Sequence, residues 1–244
     1  MIPAIDVEHM YFSYPSFSLD DVSMQLLPGN LKALIGLNGS GKTTLMKLIL
    51  GLLEPNKGEI RVFGRTLSKE ALWVIRQDVG FLFQNPGDQL FSPTVWEDVS
   101  FGPRNQGFSE SEIDDRTRWA LNAVGIPLLE DKPVNQLSFG QAKRVALAGI
   151  LAMRPKVLLL DEPFTGLDFP AVVGLVDILQ ALRKERISVF YTTHDRFFVE
   201  NWAESVMVLR SGRVVFDGNP HEALNRQDLQ QEIGDWERMK RHII

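Results

Sequence analysis

The sequence has no cysteine, no excess of basic residues and no long apolar run, and each absence excludes a class of protein. Without cysteine, the chain forms no disulfides, iron–sulfur clusters or thiolate zinc sites. The formal net charge of -5 provides no basic surface for a phosphate backbone, so we expect no nucleic-acid partner. The apolar runs, of which Val157–Leu160 is typical, are far shorter than the roughly 20 residues of a membrane-spanning helix. Any role at a membrane must therefore depend on a partner.

The start of the chain also lacks the basic and apolar stretches of a signal peptide, which predicts that the protein stays in the compartment where it is made. What the sequence does contain is enough apolar material for a large core, because 44% of its 244 residues are hydrophobic. This composition fits one large α/β domain or one domain with an inserted lobe.

Residues 36–44 fit the phosphate-binding pattern G-x-x-x-x-G-K-[ST], with an apolar run before them and a helical pattern after them. The glycines allow backbone N–H groups to point inward, and the positive end of the following helix adds to their attraction for phosphate. Lys42 is expected to reach the β- and γ-phosphates, and the Thr43 hydroxyl to hold a magnesium ion. The predicted nucleotide contacts in this loop are Gly36, Leu37, Asn38, Gly39, Ser40, Gly41, Lys42, Thr43 and Thr44.

The pattern along the chain predicts an α/β fold. Alternating apolar and polar residues favour two antiparallel strands within residues 5–27. Further on, short apolar runs alternate with helical patterns, which is typical of a parallel sheet. These runs cover residues 79–83, 156–160, 187–192 and 205–209.

Residues 85–138 have a different character, because loops rich in Pro, Gly and Asp alternate with helical segments. Ser109 and Glu112 form a capping box at the start of one of these helices, and a further helix is expected from Lys143 to Met153. We therefore predict a single domain with a nucleotide-binding core (1–84 and 139–220), an inserted helical subdomain (85–138) and a C-terminal helical tail (221–244).

Three polar residues follow apolar strands, at the sheet edge where ligands bind in open α/β folds. Asp161 and Glu162 come directly after the run 156–160, and His194 follows the run 187–192. Asp161 is expected to hold magnesium through water, and Glu162 to orient and deprotonate an attacking water. His194 is expected to hydrogen-bond to phosphate and to that water.

Two further features suggest ligand contacts. Ser138 is a good N-cap for the helix that follows, and this helix start is a second place that can hold an anion, unless it is only a capping turn. Tyr14, beside Pro15, is either a core or rim residue or a flat surface for a nucleotide base.

Over residues 4–220 the chain resembles the nucleotide-binding subunits of ATP-binding cassette (ABC) ATPases. The features that carry the resemblance are, in chain order, the phosphate loop, Gln84, residues 137–141, the pair Asp161 and Glu162, and His194. The resemblance implies that residues 36–44 are the Walker A loop, 137–141 the signature motif, 158–162 the Walker B strand and 165–168 the D-loop. It implies catalytic roles for Glu162, His194, Gln84 and Lys42, and magnesium ligation by Thr43, Gln84 and Asp161. Outside the phosphate loop it implies nucleotide contacts from Tyr14, Ser138, Gly140, Gln141 and Asp168.

One position departs from the family pattern, because Phe139 stands where the signature usually has its first glycine. If that position needs a positive φ, the phenylalanine is strained by roughly 1 to 2 kcal/mol. The family contacts run mainly through the serine hydroxyl and the second glycine, retained here as Ser138 and Gly140. We therefore predict that the protein is active despite Phe139.

The resemblance also implies assembly. In the family, the Walker A loop of one chain and the signature of another close on one ATP, so we expect a second ABC ATPase chain, either a copy of this one or a related partner. Residues 84–103 look like the cobalt, nickel and energy-coupling-factor importer ATPases, in which this region docks the membrane subunits. This predicts an ATP-hydrolysing subunit with integral-membrane transport partners, on the cytoplasmic face of the cell membrane, importing a transition-metal ion or a vitamin.

Two alternatives compete with this interpretation. One is an ABC ATPase without a transporter, acting as an assembly or regulatory factor. The other is a P-loop GTPase or small-molecule kinase, but residues 56–59 do not complete the guanine-specific pattern Asn-Lys-x-Asp, and the signature turn would have no role.

Overall fold

The computed structural model describes residues 1–233, so residues 234–244 of the predicted C-terminal tail lie outside the described residues. The chain divides into two compact units. The first comprises Met1–Ile75 and the chain from Ser188 onward, and the second is Arg76–Ile187. The boundaries predicted for core, helical subdomain and tail stay predictions.

The first unit contains an antiparallel sheet of four strands, β1 (Ile5–Tyr14), β2 (Phe17–Leu26), β4 (Lys57–Val62) and β5 (Arg65–Thr66). Their order in the sheet is β2-β1-β4-β5. From Val22 to Leu26 of β2 the side chains alternate between buried and exposed, since one face of the sheet packs on the core. The antiparallel pair predicted within residues 5–27 is therefore confirmed.

The first unit also contains four strands of a mostly parallel sheet. These are β3 (Leu31–Ile35), β8 (Ser188–Thr192), β9 (Ser205–Arg210) and β10 (Arg213–Gly218). β3 lies between β8 and β9 and is parallel to both, while β10 is antiparallel to β9. All five residues of β3 are buried, as expected for a strand covered on both faces. The helices assigned to the first unit are α1 (Lys42–Ile49), α7 (Arg196–Asn201), α8 (Pro220–Asn225) and α9 (Gln230–Ile233).

A buried lysine connects the two sheets of the first unit. Lys32 lies in β3 and is only 4% exposed. Its Nζ lies 2.6 Å from Oδ1 of Asp217, on β10, and donates a hydrogen bond of 3.0 Å to the carbonyl oxygen of Gln25, on β2. A buried ammonium requires such partners, because an unpaired charge in the core is costly.

The second unit combines two parallel strands with a group of helices. β6 (Val79–Leu82) and β7 (Val157–Leu160) pair in parallel, with Leu82 opposite Leu160. The helices are α3 (Val95–Asn105), α4 (Glu110–Ala123), α5 (Phe139–Ala152) and α6 (Phe169–Lys184), and α2 (Leu72–Asp78) contains the boundary of the unit. α3, α4 and α5 pack against one another through apolar faces.

Side-chain caps fix the starts of these helices. The capping box predicted at Ser109 and Glu112 is present at the start of α4, and Ser138 and Gln141 form another at the start of α5. α5 therefore begins at Phe139, four residues before the predicted start at Lys143, because the box satisfies the first backbone N–H groups of the helix. Within residues 1–233, the helices are too short or too polar to cross a bilayer.

Candidate nucleotide site

The phosphate loop needs glycine where its backbone passes close to other atoms. A Cβ on Gly36 would lie 2.3 Å from the carbonyl oxygen of Leu209, so any larger residue would displace the loop from β9. Gly41 has a φ of 107°, and a Cβ there would lie 2.5 Å from the ring of Phe17. Positions 36 and 41 therefore need glycine in this turn.

The loop ends at a helix start that no side chain caps. α1 begins at Lys42, and its N-cap, Gly41, provides no side-chain acceptor for the first N–H groups. The buried Nζ of Lys42 donates hydrogen bonds to the carbonyl oxygen atoms of Gly36, at 2.8 Å, and Leu37, at 3.3 Å. The hydroxyl of Ser40 is buried and has no hydrogen-bond partner within the described residues. This turn therefore forms a site for a polyphosphate, because it combines the ammonium of Lys42, the N-terminus of α1 and the hydroxyl of Ser40.

Two aromatic residues lie beside the β1–β2 turn. Tyr14 ends β1 with an exposed ring, which packs edge-on against Phe12 at a centroid distance of 4.7 Å. Phe17 pairs with Tyr14 across the turn and lies against Gly41 of the phosphate loop. Phe17 was not predicted from the sequence. Its signal was the period of two in β2, which places it on the same face as Leu19, the other neighbour of Gly41.

His194 lies at the edge of the parallel sheet where the phosphate loop begins. It is exposed and follows β8, in which Thr192 pairs with Leu34 of β3. The N–H of Thr193 donates to the carbonyl oxygen of Leu34 at 3.3 Å, which extends the pairing beyond β8. In the first unit, the structure therefore brings His194 and the phosphate loop to the same edge of the sheet.

In the second unit, Gln84, Asp161 and Glu162 lie at the corresponding edge of the strands. The N–H of Asp161 donates to the carbonyl oxygen of Leu82 at 2.9 Å, and Gln84 follows Leu82 by two residues. Asp161 and Glu162 are buried, whereas Gln84 is exposed. Glu162 has a φ of 47°, an unfavourable conformation for a residue with a side chain.

Two residues hold Glu162 in this conformation. The hydroxyl of Thr165 donates to Oε2 of Glu162 at 3.2 Å. Nζ of Lys143 donates to the carbonyl oxygen atoms of Glu162, at 3.2 Å, and Thr165, at 3.1 Å. Burial lowers the pKa of Lys143 to about 8, although the negative charges of Glu162 and Asp161 oppose this shift. A role for Lys143 was not predicted from the sequence, in which its helical spacing of four from the apolar Leu147 indicates that it lies on a buried face.

The turn at residues 137–141 is the capped start of α5. The N–H of Gln141 donates to Oγ of Ser138 at 3.3 Å, and Oε1 of Gln141 accepts from the N–H of Ser138 at 3.1 Å. Phe139 is the first helical residue and has no positive φ, so the strain considered for this position does not arise. Asp168 caps α6, with its Oδ1 accepting from the N–H of Ala171 at 2.9 Å.

Comparison with known proteins agrees with this geometry. Residues 19–165 match the family model described as ABC transporter. The chain belongs to this family, as an ABC ATPase, a class of protein that binds and hydrolyses ATP. The predicted family is therefore confirmed, and with it the predicted α/β fold of the ABC type, with a parallel sheet, an antiparallel β-subdomain and helices.

Particular relatives extend the match over nearly the whole chain. The sequence is 43% identical over 229 residues to the energy-coupling factor transporter ATP-binding protein EcfA of Methanothermobacter thermautotrophicus, covering 92% of this chain and 74% of that protein. It is 40% identical over 230 residues to EcfA of Carboxydothermus hydrogenoformans, covering 93% and 85%. The solved structure of cbiO1 from Clostridium perfringens, described as part of the ABC transporter complex cbiONQ, aligns with a TM-score of 0.84 and 38% identity, over 95% of this chain and 94% of that one.

Proposed function

We propose that this chain is the ATP-hydrolysing subunit of an importer of the energy-coupling-factor type, at the cytoplasmic face of the membrane. The observation that carries the proposal is its similarity, over more than nine-tenths of its length, to proteins with that name. The imported solute is proposed to be a micronutrient, either a transition-metal ion or a vitamin. The phosphate loop and the buried carboxylate of Glu162 support the hydrolytic part of the proposal.

The phosphate loop supplies the binding energy for ATP in this proposal. The N–H groups at the start of α1 and the ammonium of Lys42 bind the phosphates, and the exposed ring of Tyr14 stacks on the base. Because Lys42 already donates hydrogen bonds to the loop, the phosphates replace carbonyl oxygen atoms as its acceptors. This replacement keeps the ammonium paired at every stage.

Glu162 is the proposed base that orients and deprotonates the attacking water. Its carboxylate is buried and accepts a hydrogen bond from the Thr165 hydroxyl, which limits the side chain to few orientations. His194 is proposed to hydrogen-bond to the γ-phosphate, as an exposed residue at the edge where the loop begins. The step is hydrolysis, so no acceptor other than water is required.

Magnesium is the proposed cofactor, and the residues proposed to hold it have the right chemistry. Thr43, Gln84 and Asp161 offer a hydroxyl, an amide and a carboxylate oxygen, the donors that a hard cation prefers. Residues 1–233 contain no cluster of three or more acidic or histidine side chains able to form a metal site. Magnesium does not need one, because it usually shares phosphate oxygen atoms and waters with a few protein ligands. When bound, it offsets the charge of the phosphates.

A second ATPase chain is proposed to complete each site. The start of α5, with Ser138, Gly140 and Gln141, is the part of this chain that would contact the nucleotide held by the partner, together with Asp168. Since the chain has both a phosphate loop and this turn, the proposed partner is either a second copy of this chain or a related chain.

The test is a Glu162→Gln variant. It removes the base but keeps the shape of the side chain, so we expect turnover to fall by about 10²-fold or more while ATP binding persists. An ATP-bound dimer should accumulate, measured by size-exclusion chromatography with light scattering at saturating ATP. Glu185→Gln, an exposed glutamate of the second unit, is the matched control and should turn over normally. Normal turnover in Glu162→Gln would remove this residue from the proposed role.

A further inference from the structure

Lys143 is a buried, charged residue of α5, and the stability of this helix does not require a charge at this position. The side chain is only 1% exposed, and lysine is seldom buried this completely. Within the described residues it forms no ion pair with a carboxylate, and both of its hydrogen bonds go to carbonyl oxygen atoms. Burial of the charge lowers its pKa to about 8, which is a cost to folding at neutral pH. A Met or Leu at this position would fill the same space without that cost.

The two acceptors of Lys143 enclose the segment that contains the proposed base. One is the carbonyl oxygen of Glu162 itself, and the other is that of Thr165. Thr165 in turn donates its hydroxyl to the carboxylate of Glu162. A single ammonium therefore restrains both the backbone of Glu162, which has the unfavourable φ of 47°, and the residue that orients its side chain.

On its other side, Lys143 faces the start of α5. Its Nζ lies 5.3 Å from the ring centroid of Phe139, within the range of a cation–π contact. The same ring lies against Gly166, where a Cβ would be 2.8 Å from the nearest ring atom. Phe139 follows Ser138 directly, so the ammonium lies between the proposed signature turn and residues 162–166.

We infer that Lys143 is a positioning residue for ATP hydrolysis, which holds Glu162 in place and links it to the start of α5. The inference rests on the proposed role of Glu162 as base. Under the proposed function, the start of α5 contacts the nucleotide of the partner chain, whereas Glu162 acts on the nucleotide of its own chain. Lys143 then connects the two ATP sites of a dimer. When the start of α5 contacts the nucleotide of the partner chain, Lys143 transmits any movement of this helix start to Glu162, the base of the other site.

The test compares Lys143→Met with Lys143→Gln in the full chain. Methionine and glutamine have similar length and volume, but only glutamine can donate a hydrogen bond to a carbonyl oxygen. We expect kcat of Lys143→Met to fall by about tenfold or more, with KM for ATP unchanged, because loss of the contacts displaces the base but not the nucleotide. Lys143→Gln should have a kcat between those of Lys143→Met and the wild type. The melting temperature of each variant should stay within about 4 °C of the wild type, because the lost hydrogen bonds and the removed charge burial have opposite effects.

Lys156→Met is the control, since Lys156 is an exposed lysine of the same unit whose Nζ lies 2.8 Å from Oδ1 of Asp78. It should keep the wild-type kcat. Wild-type kcat in both Lys143→Met and Lys143→Gln would show that Lys143 only fills space and would overturn the inference. A kcat reduced equally in both would also overturn it, because glutamine, which can donate a hydrogen bond, should restore part of the rate. If Lys143→Met does not fold, a wild-type kcat in Lys143→Gln overturns it.

Glu162→Gln, measured in the same series, separates this inference from the proposed function. If Glu162→Gln keeps its turnover, the proposed base is wrong, and the inference about Lys143 is lost with it. If Glu162→Gln loses turnover while Lys143→Met keeps it, only the role of Lys143 is wrong.

Discussion

At Gly140, the second residue of α5, nothing within residues 1–233 requires a glycine. The residue is helical without a positive φ, and an added Cβ would meet its nearest neighbour, Cβ of Ala171, at 3.5 Å, an ordinary contact. Glycine is also a poorer helix former than alanine. This glycine costs stability and relieves no contact within the described residues. We therefore predict a close approach from outside the chain, as the proposed nucleotide of the partner would make.

A Gly140→Ala variant should therefore fold at least as well as the wild type but lose activity. We expect its free energy of unfolding to be equal or higher by up to about 1 kcal/mol, because alanine favours the helix. Its ATPase rate should fall by about tenfold or more, because the methyl group obstructs the approach of the phosphate. Chemical denaturation and steady-state ATPase assays measure the two effects.

Gly149→Ala is the matched control. Gly149 also lies in α5, and among the described residues outside its own helix its added Cβ would meet nothing closer than 3.9 Å. This variant should gain similar stability and keep its ATPase rate. If Gly140→Ala also keeps its rate, the start of α5 does not contact the nucleotide closely at this position.

Among elements, α5 shows what an amino-acid sequence can and cannot predict. Ser138 was identified as an N-cap, and Gln141 completes the capping box, so the start at Phe139 was readable from the spacing of these two residues. The burial of Lys143 could be predicted only in part. Its helical spacing from Leu147 indicates that it lies on the buried face of α5, but the spacing does not identify the carbonyl oxygen atoms that accept its hydrogen bonds. The φ of Glu162 could not be predicted at all, because a positive φ at a residue with a side chain depends on contacts from distant residues.

The rest of the site could also be predicted only where a local sequence pattern determines the structure. The apolar runs predicted β3, β7 and β8 correctly, since buried parallel strands have a strong pattern. The residues at their ends could therefore be assigned to an edge of the sheet. The contact of Phe17 with Gly41 depends on how the β1–β2 turn folds over the phosphate loop, which no local pattern contains.

We predict that Phe139→Gly, at the start of α5, does not raise the ATPase rate by tenfold or more. Phe139 has helical geometry, so restoring the glycine usual in this family relieves no backbone strain. The variant also loses the ring that faces Lys143 and Gly166. ATPase assays at saturating ATP measure the effect, and a rate tenfold higher than wild type would show that Phe139 does inhibit the signature turn.

Phe169→Gly controls for the cost of a glycine at a helix start. Phe169 is the exposed first residue of α6, as Phe139 is of α5, and a glycine at either position weakens the helix by about the same amount. The stability difference between the two variants therefore measures the contacts of the Phe139 ring.

On the scale of the whole molecule, we predict that an exposed aromatic pair contacts the proposed membrane partner. Phe91 and Phe101 are 64% and 44% exposed, with ring centroids 4.7 Å apart. The buried carboxylate of Asp98 accepts hydrogen bonds of 2.9 Å from the N–H groups of Phe91 and Ser92, which fixes the loop before α3. Exposed aromatic residues on a rigid support are typical of protein–protein interfaces.

We predict that replacing Phe91 and Phe101 together by serine abolishes co-purification with integral-membrane subunits from detergent-solubilised membranes. The ATPase rate of the isolated chain should stay unchanged, because neither ring belongs to the nucleotide site. Leu128→Ser is the control, since Leu128 is 94% exposed in the same unit and should keep the partner. If no integral-membrane protein accompanies the wild-type chain, the importer proposal is wrong and a soluble ABC factor is the better description.

The ion pair of Lys32 also restricts how this sequence can change over generations. Replacing Asp217 alone leaves an ammonium buried in β3 with only the carbonyl oxygen of Gln25, and replacing Lys32 alone leaves Asp217 without its partner. Either single change is destabilising, whereas a joint change to two apolar residues of similar volume is tolerated. In descendants of this chain, positions 32 and 217 should therefore vary together, although they lie 185 positions apart in the sequence.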